Sequence, residues 1–211
     1  MVVNGEGVTY VGGAVIAMVV LAAAIVGIGT ILWLLFRLFT VPGVVVHEFA
    51  HKWACEFVGV PVLEVAYFRL SDPPGYVRHA QPERYRETFV VSVAPFLVNT
   101  VTAFVAFLCL ATFLETTGSI RAASGEEIVI AVVLGWLGLS VGMHAFPSTG
   151  DANSLWSRSR AEWRRSPTVL LAIPVVVVIY VANLLSWLGA DWLYALGIGV
   201  VAFSFIGPPI F

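Results

Sequence analysis

Long apolar runs separated by short polar segments restrict this chain to a fold built within a membrane. A transmembrane helix needs about 20 apolar residues in succession, and inside lipid only helices or closed barrels satisfy their backbone hydrogen bonds. Charged residues make up only 11% of the chain, against about 25% in soluble domains, so no separate soluble domain is expected. We predict an all-α polytopic membrane protein with a single transmembrane domain over residues 1–211. Its six predicted helices cover residues 11–39, 44–58, 88–114, 128–146, 168–188 and 192–210.

A polar stretch follows the second predicted helix. Residues 62–70 are rich in β-branched and aromatic side chains, a composition typical of strands. An Asp-Pro-Pro-Gly sequence at 72–75 is a strong turn signal, and residues 76–80 could form the returning strand. We therefore predict a small β-hairpin or re-entrant loop within residues 60–80.

The placement of arginine predicts the orientation in the membrane. Residues 69–86 and 158–165 hold four arginines each, whereas residues 115–127 hold one. The positive-inside rule places the two arginine-rich segments in the cytoplasm. Residues 156–167 are then a basic cytoplasmic interfacial segment, and residues 168–211 form a C-terminal helical hairpin. The formal net charge of −2 gives no reason to expect a nucleic-acid partner, so the lipid bilayer is the expected surrounding.

The segment His47–His51 has the sequence His-Glu-Phe-Ala-His and lies within the second predicted helix. Residues four apart lie on the same face of a helix, so both imidazoles can hold one metal ion. Glu48 can reach a metal-bound water and act as the general base. Imidazole and carboxylate groups at membrane depth are costly, and a metal ion is the simplest compensating partner. The segment therefore predicts a zinc-dependent hydrolase.

A catalytic zinc site usually has three protein ligands and one open position, so two histidines leave it incomplete. Asp151 lies just beyond the fourth predicted helix, and His144 lies in the same segment, near the end of that helix. The other candidates are Glu56, Glu64 and His79. From spacing alone the third ligand stays open among these five residues.

Two further segments resemble motifs of the site-2 protease family of membrane-embedded zinc metallopeptidases. That family has a histidine-glutamate-x-x-histidine helix, which His47–His51 matches. Its second motif, a glycine-proline pair followed by an asparagine, resembles Ala94–Asn99, with alanine in place of glycine. In its third motif an asparagine and a proline lead to leucine-aspartate-glycine. His144–Asp151 resembles this motif, with histidine in place of the asparagine and glycine in place of the leucine. The resemblance covers residues 40–155, the family's three-helix catalytic core.

The resemblance implies a ligand set and an activity. It implies that His47, His51 and Asp151 bind Zn²⁺ and that Glu48 is the catalytic base. It also implies that Asn99 helps to hold the substrate or the oxyanion. The expected function is that of an intramembrane zinc endopeptidase at the cell membrane, whose active site faces the cytoplasm. Its expected partners are membrane-anchored protein substrates.

Two questions stay open at this point. The alternative function is a non-proteolytic metal-binding membrane protein, transporter-like or a degenerate family member. An intact Glu48 favours catalysis, and the last two predicted helices offer no acidic or histidine residue within the membrane, where transport sites tend to have them. The predicted hairpin could capture an extended substrate segment by β-augmentation, or it could plug the catalytic cavity.

Overall fold

A computed structural model describes residues 5–118, 123–164, 169 and 173–206, with side chains from residue 13 onward. The described residues form seven α-helices and one two-stranded antiparallel sheet. The predicted helical class and the predicted β-hairpin are both confirmed. In chain order the elements are α1 (Gly5–Phe39), α2 (Val41–Val58), β1 (Val62–Ala66), β2 (Tyr76–His79), α3 (Tyr85–Thr117), α4 (Gly125–Met143), α5 (Thr149–Glu162), α6 (Ile173–Ser186) and α7 (Ala190–Ser204).

Fewer helices than predicted are long and apolar enough to cross a bilayer. Within the described ranges three helices qualify, namely α3, α4 and the part of α1 from Gly13 to Phe39. α6 and α7 have 14 and 15 residues, and a 105° bend separates them. If that bent pair is counted as one span, the total is four. The protein thus has several potential spans, but the six predicted ones are not confirmed, and the predicted ends at 168 and 210 lie outside the described residues.

The chain divides after Leu38 into two compact units. The first consists of α1, in which the Arg37 guanidinium lies 5.2 Å from the centre of the Trp33 ring. The second unit begins at Phe39 and contains every other element.

Local sequence explains where α2 begins and ends. Pro42 occupies the first turn, where a missing N–H costs no hydrogen bond. Gly59 ends the helix with φ of 78°, a left-handed conformation that favours glycine, and its N–H donates to the Cys55 and Glu56 carbonyls. The helix that carries the histidine motif is therefore fixed at both ends by its own sequence.

Small residues allow α2, α3 and α4 to pack closely. Ala50 and Ala54 are fully buried in a cluster with Val91 and Ala94 of α3. On α4, Gly138 faces the Phe107 ring, as expected for small residues at interfaces between membrane helices. α7 packs against α3 and α4 in a second cluster, and α5 packs against α6 in a third. The ends of α2, α4 and α5 that carry polar residues face one cavity.

The hairpin pairs β1 and β2 with an irregular register between Val62 and Glu64. Glu64 lies opposite Arg78, and their side chains form an ion pair at 3.0 Å. Tyr76 also donates a hydrogen bond to the Glu64 carboxylate. This hydrogen bond, together with the charges of Arg78 and Arg69, lowers the pKa of Glu64.

α5 covers most of the predicted basic segment at 156–167. Trp156 and Trp163 are exposed there, as expected of aromatic residues at a membrane interface. Residues 165–168, and Arg121 of the preceding loop, lie outside the described residues. The cytoplasmic orientation stays a prediction.

Candidate metal centre

Two histidines of α2 and one aspartate of α5 lie close together. Each of His47, His51 and Asp151 offers one ligand atom, and these atoms all lie within 4.8 Å of one another. The centres of the two imidazole rings are 5.0 Å apart, as expected for residues one helical turn apart. His51 Nε2 lies 3.6 Å from Asp151 Oδ2. This group could hold a metal ion.

Backbone carbonyls fix the orientation of both histidine rings. His47 Nδ1 lies 2.7 Å from the His144 carbonyl oxygen, and His51 Nδ1 lies 2.9 Å from that of Val91. Since a carbonyl can only accept, each Nδ1 must carry the proton and donate it. The Nε2 atoms are therefore left with lone pairs for a metal, in the arrangement that metal-binding histidines usually show.

The third ligand is positioned by the N-terminal cap of α5. Ser148 donates to Asp151 Oδ2 from its N–H at 2.8 Å and from its hydroxyl at 2.6 Å. In return the Ser148 hydroxyl accepts from the Asp151 N–H at 3.2 Å, which completes a capping box. Burial raises the pKa of Asp151, but the interactions with His51 and Ser148 outweigh burial and hold it below its ordinary value. Asp151 is thus held as the ionised carboxylate that a metal requires.

α6 supports the loop that presents Asp151. Asn183 donates to the Pro147 carbonyl at 2.9 Å and accepts from the Thr149 hydroxyl at 3.4 Å. Tyr180 donates to the Asn153 side chain at 2.6 Å. The partners of Asn183 and Tyr180 thus flank the metal ligand Asp151 on both sides.

Glu48 lies in the same cavity as the ligand group. The cavity has a volume of about 550 Å³ and is lined by residues of α2, α4, α5, α6, α7 and the hairpin. Glu48 is 8% exposed, and the turn at Gly75 lies directly against it. A Cβ atom at Gly75 would come within 2.6 Å of Glu48 Cγ. The hairpin therefore covers the carboxylate that was predicted to be the base.

The other four candidates for the third ligand do not belong to the ligand group found among the described residues. Glu56 pairs with Lys52 on an exposed face of α2, and Glu64 pairs with Arg78. His79 and His144 both line the cavity, but neither belongs to the ligand group found among the described residues. His144 ends α4, and its Nδ1 donates to the Ser140 carbonyl at 2.9 Å.

Asn99 contacts the protein backbone rather than the cavity. Its side chain is fully buried, and it does not belong to the described residues that line the cavity. Its Nδ2 lies 3.0 Å from the His144 carbonyl oxygen and 3.3 Å from those of Gly43 and Val141. Asn99 of α3 thereby joins α2 to α4, and the predicted contact with substrate stays a prediction.

Asp191 is a cavity residue that the sequence did not reveal. It follows the turn between α6 and α7, and it lines the cavity together with Asn183 and Ser186. Asp191 lies between the last two predicted helices, so the expectation that these helices offer no acidic residue within the membrane did not include it. α6 and α7 are bent by 105° at their connection, and Ser186 and Asp191 on either side of it line the same cavity as the ligand group.

Replacing Asp151 with Asn is expected to weaken zinc binding by about 100-fold or more, because the neutral amide is a poor ligand. Replacing His144 with Ala removes an imidazole outside the ligand group but keeps the carbonyl that orients His47. Zinc affinity should then stay nearly unchanged. Competition with a fluorescent chelator measures both affinities, and a larger loss in the His144 variant would contradict this ligand assignment.

Two imidazole nitrogens and one carboxylate oxygen, with room for a fourth ligand, suit zinc in a catalytic site. No family model, no curated protein and no solved structure matches this chain. The resemblance to the site-2 protease family therefore stays a prediction. It depends on the three short motifs.

Proposed function

We propose that this protein is an intramembrane zinc endopeptidase of the site-2 protease type. It would hydrolyse peptide bonds of membrane-anchored proteins near the cytoplasmic side of the cell membrane. The observation that carries the proposal is one cavity that contains both a three-residue ligand group and a separate carboxylate, Glu48. A site that only binds metal needs the first feature but not the second.

His47, His51 and Asp151 would hold the zinc ion. Bound there, zinc would supply an acidified water, with a pKa of about 7, and would polarise the scissile carbonyl. Glu48 would act as the general base that accepts a proton from the attacking water and returns it to the leaving amine. The carbonyls of His144 and Val91 keep the imidazoles oriented while the charge in the cavity changes.

The position of the hairpin favours a hairpin that covers the catalytic cavity over one that captures substrate by β-augmentation. Its turn at residues 73–75 lines the cavity and touches Glu48. A substrate backbone that is to reach Glu48 must displace this turn or pass beside it. In either case the turn limits which segments of a membrane protein reach the base.

The proposal is tested with purified protein reconstituted in liposomes together with a single-span membrane substrate. We expect the substrate to be cleaved once, cleavage to stop when 1,10-phenanthroline removes the metal, and stoichiometric Zn²⁺ to restore it. Cleavage that continues in the chelator would contradict the zinc mechanism. Passage of Zn²⁺ into the liposomes without cleavage would favour the alternative, a transporter-like protein.

A further inference from the structure

The cavity at the ligand group carries an excess of negative charge. Three carboxylates line it, those of Glu48, Asp151 and Asp191, and no lysine or arginine is among its described lining residues. Its four histidines are His47, His51, His79 and His144. A divalent ion bound to the ligand group would offset the charges of two carboxylates, and Asp191 is the third carboxylate of the cavity.

Asp191 has no cationic partner within the described residues. Its Oδ1 is buried and has no hydrogen-bond partner there. A buried carboxylate oxygen without a partner is costly, and a ligand that donates to it would remove this cost.

His144 lies close enough to Asp191 to interact with it electrostatically, but its Nδ1 donates to the Ser140 carbonyl at 2.9 Å. The Nδ1 proton is therefore not available to Asp191.

We propose that Asp191 is a specificity-determining residue that binds the side chain of a substrate lysine or arginine close to the scissile bond. The inference rests on the proposed function and names the substrate feature that the cavity selects. Membrane-anchored proteins carry such basic residues at the cytoplasmic ends of their spans. The cavity that holds the ligand group would thus meet a basic side chain where the substrate leaves the bilayer.

The test uses liposome-reconstituted protein and pairs of N-acetylated single-span substrates that differ only by Lys or Gln beside the cut site. Acetylation removes the terminal amine, so the side chain is the only cation that changes. We expect the wild type to prefer the Lys substrate by about 30-fold in kcat/KM, the size of a buried charge contact. The variant Asp191→Asn should lose this preference and cleave the Lys and Gln substrates at similar rates.

Two controls separate recognition from stability. Asp191→Glu keeps the charge and should retain most of the preference, whereas Glu126→Gln removes an exposed carboxylate far from the cavity lining and should change nothing. Equal cleavage of both substrates by the wild type would overturn the inference and leave the protease function intact. An equal loss on both substrates in Asp191→Asn would overturn it in favour of a structural role. Failure of the wild type to cleave any substrate would contradict the proposed function itself.

Discussion

Replacing Glu48 with Gln is expected to lower the rate of substrate cleavage by about 1,000-fold, the usual size of a general-base contribution. Zinc should stay bound at one ion per chain, because Glu48 is not part of the ligand group. Glutamine has the shape of glutamate but cannot accept the proton of the attacking water. The measurement is single-turnover cleavage in liposomes, paired with elemental analysis of the same preparation.

Glu56→Gln is the matched control for this prediction. Glu56 lies on the same helix, but it is exposed and paired with Lys52. Its replacement should leave both the cleavage rate and the zinc content unchanged. Cleavage at near wild-type rate in Glu48→Gln would rule out Glu48 as the base. Loss of zinc in the same variant would show that Glu48 is a metal ligand.

Replacing Gly43 with Ala is expected to destabilise the contact between α2 and α4 severely. A Cβ atom at Gly43 would lie 2.0 Å from the Ser140 carbonyl oxygen and 2.5 Å from His144 Nδ1. The Gly43 N–H also donates to the Ser140 hydroxyl at 3.0 Å, so the two helices touch directly here. Because one obstacle is backbone, the helices must separate, and overpacking of this kind costs about 3 kcal/mol or more. Thermal unfolding in detergent should show a lower Tm.

The same substitution should also weaken zinc binding. The carbonyl that orients His47 belongs to His144, which must move when α4 is pushed away. Gly135→Ala is the control, because a Cβ there meets only Leu110, at an ordinary distance of 3.6 Å. A Gly43→Ala variant with the wild-type Tm and zinc affinity would show that the contact is looser than the structure has it.

Short-range features were predictable from the sequence because they depend on helical and turn geometry alone. The spacing of His47 and His51 places both rings on one face of α2. The Asp-Pro-Pro-Gly turn correctly indicated the hairpin. Asp151 was the candidate that the resemblance selected from several, and the structure brings it to the two histidines.

Long-range features were not predictable in the same way. Composition shows that a segment is apolar, but not that α6 and α7 bend by 105° and turn their connection toward the cavity. The position of Asp191 in the cavity lining is therefore visible only in the fold. In the same way, only the fold shows that three carbonyls surround the Asn99 amide.

The most direct test of the metal centre is an X-ray diffraction measurement at the zinc absorption edge on crystals of the purified protein. We expect one anomalous peak, about 2.0–2.2 Å from Nε2 of His47, Nε2 of His51 and one carboxylate oxygen of Asp151. A peak at another place would contradict the ligand assignment. The absence of any peak in protein that has been saturated with Zn²⁺ would contradict the hydrolytic mechanism as a whole.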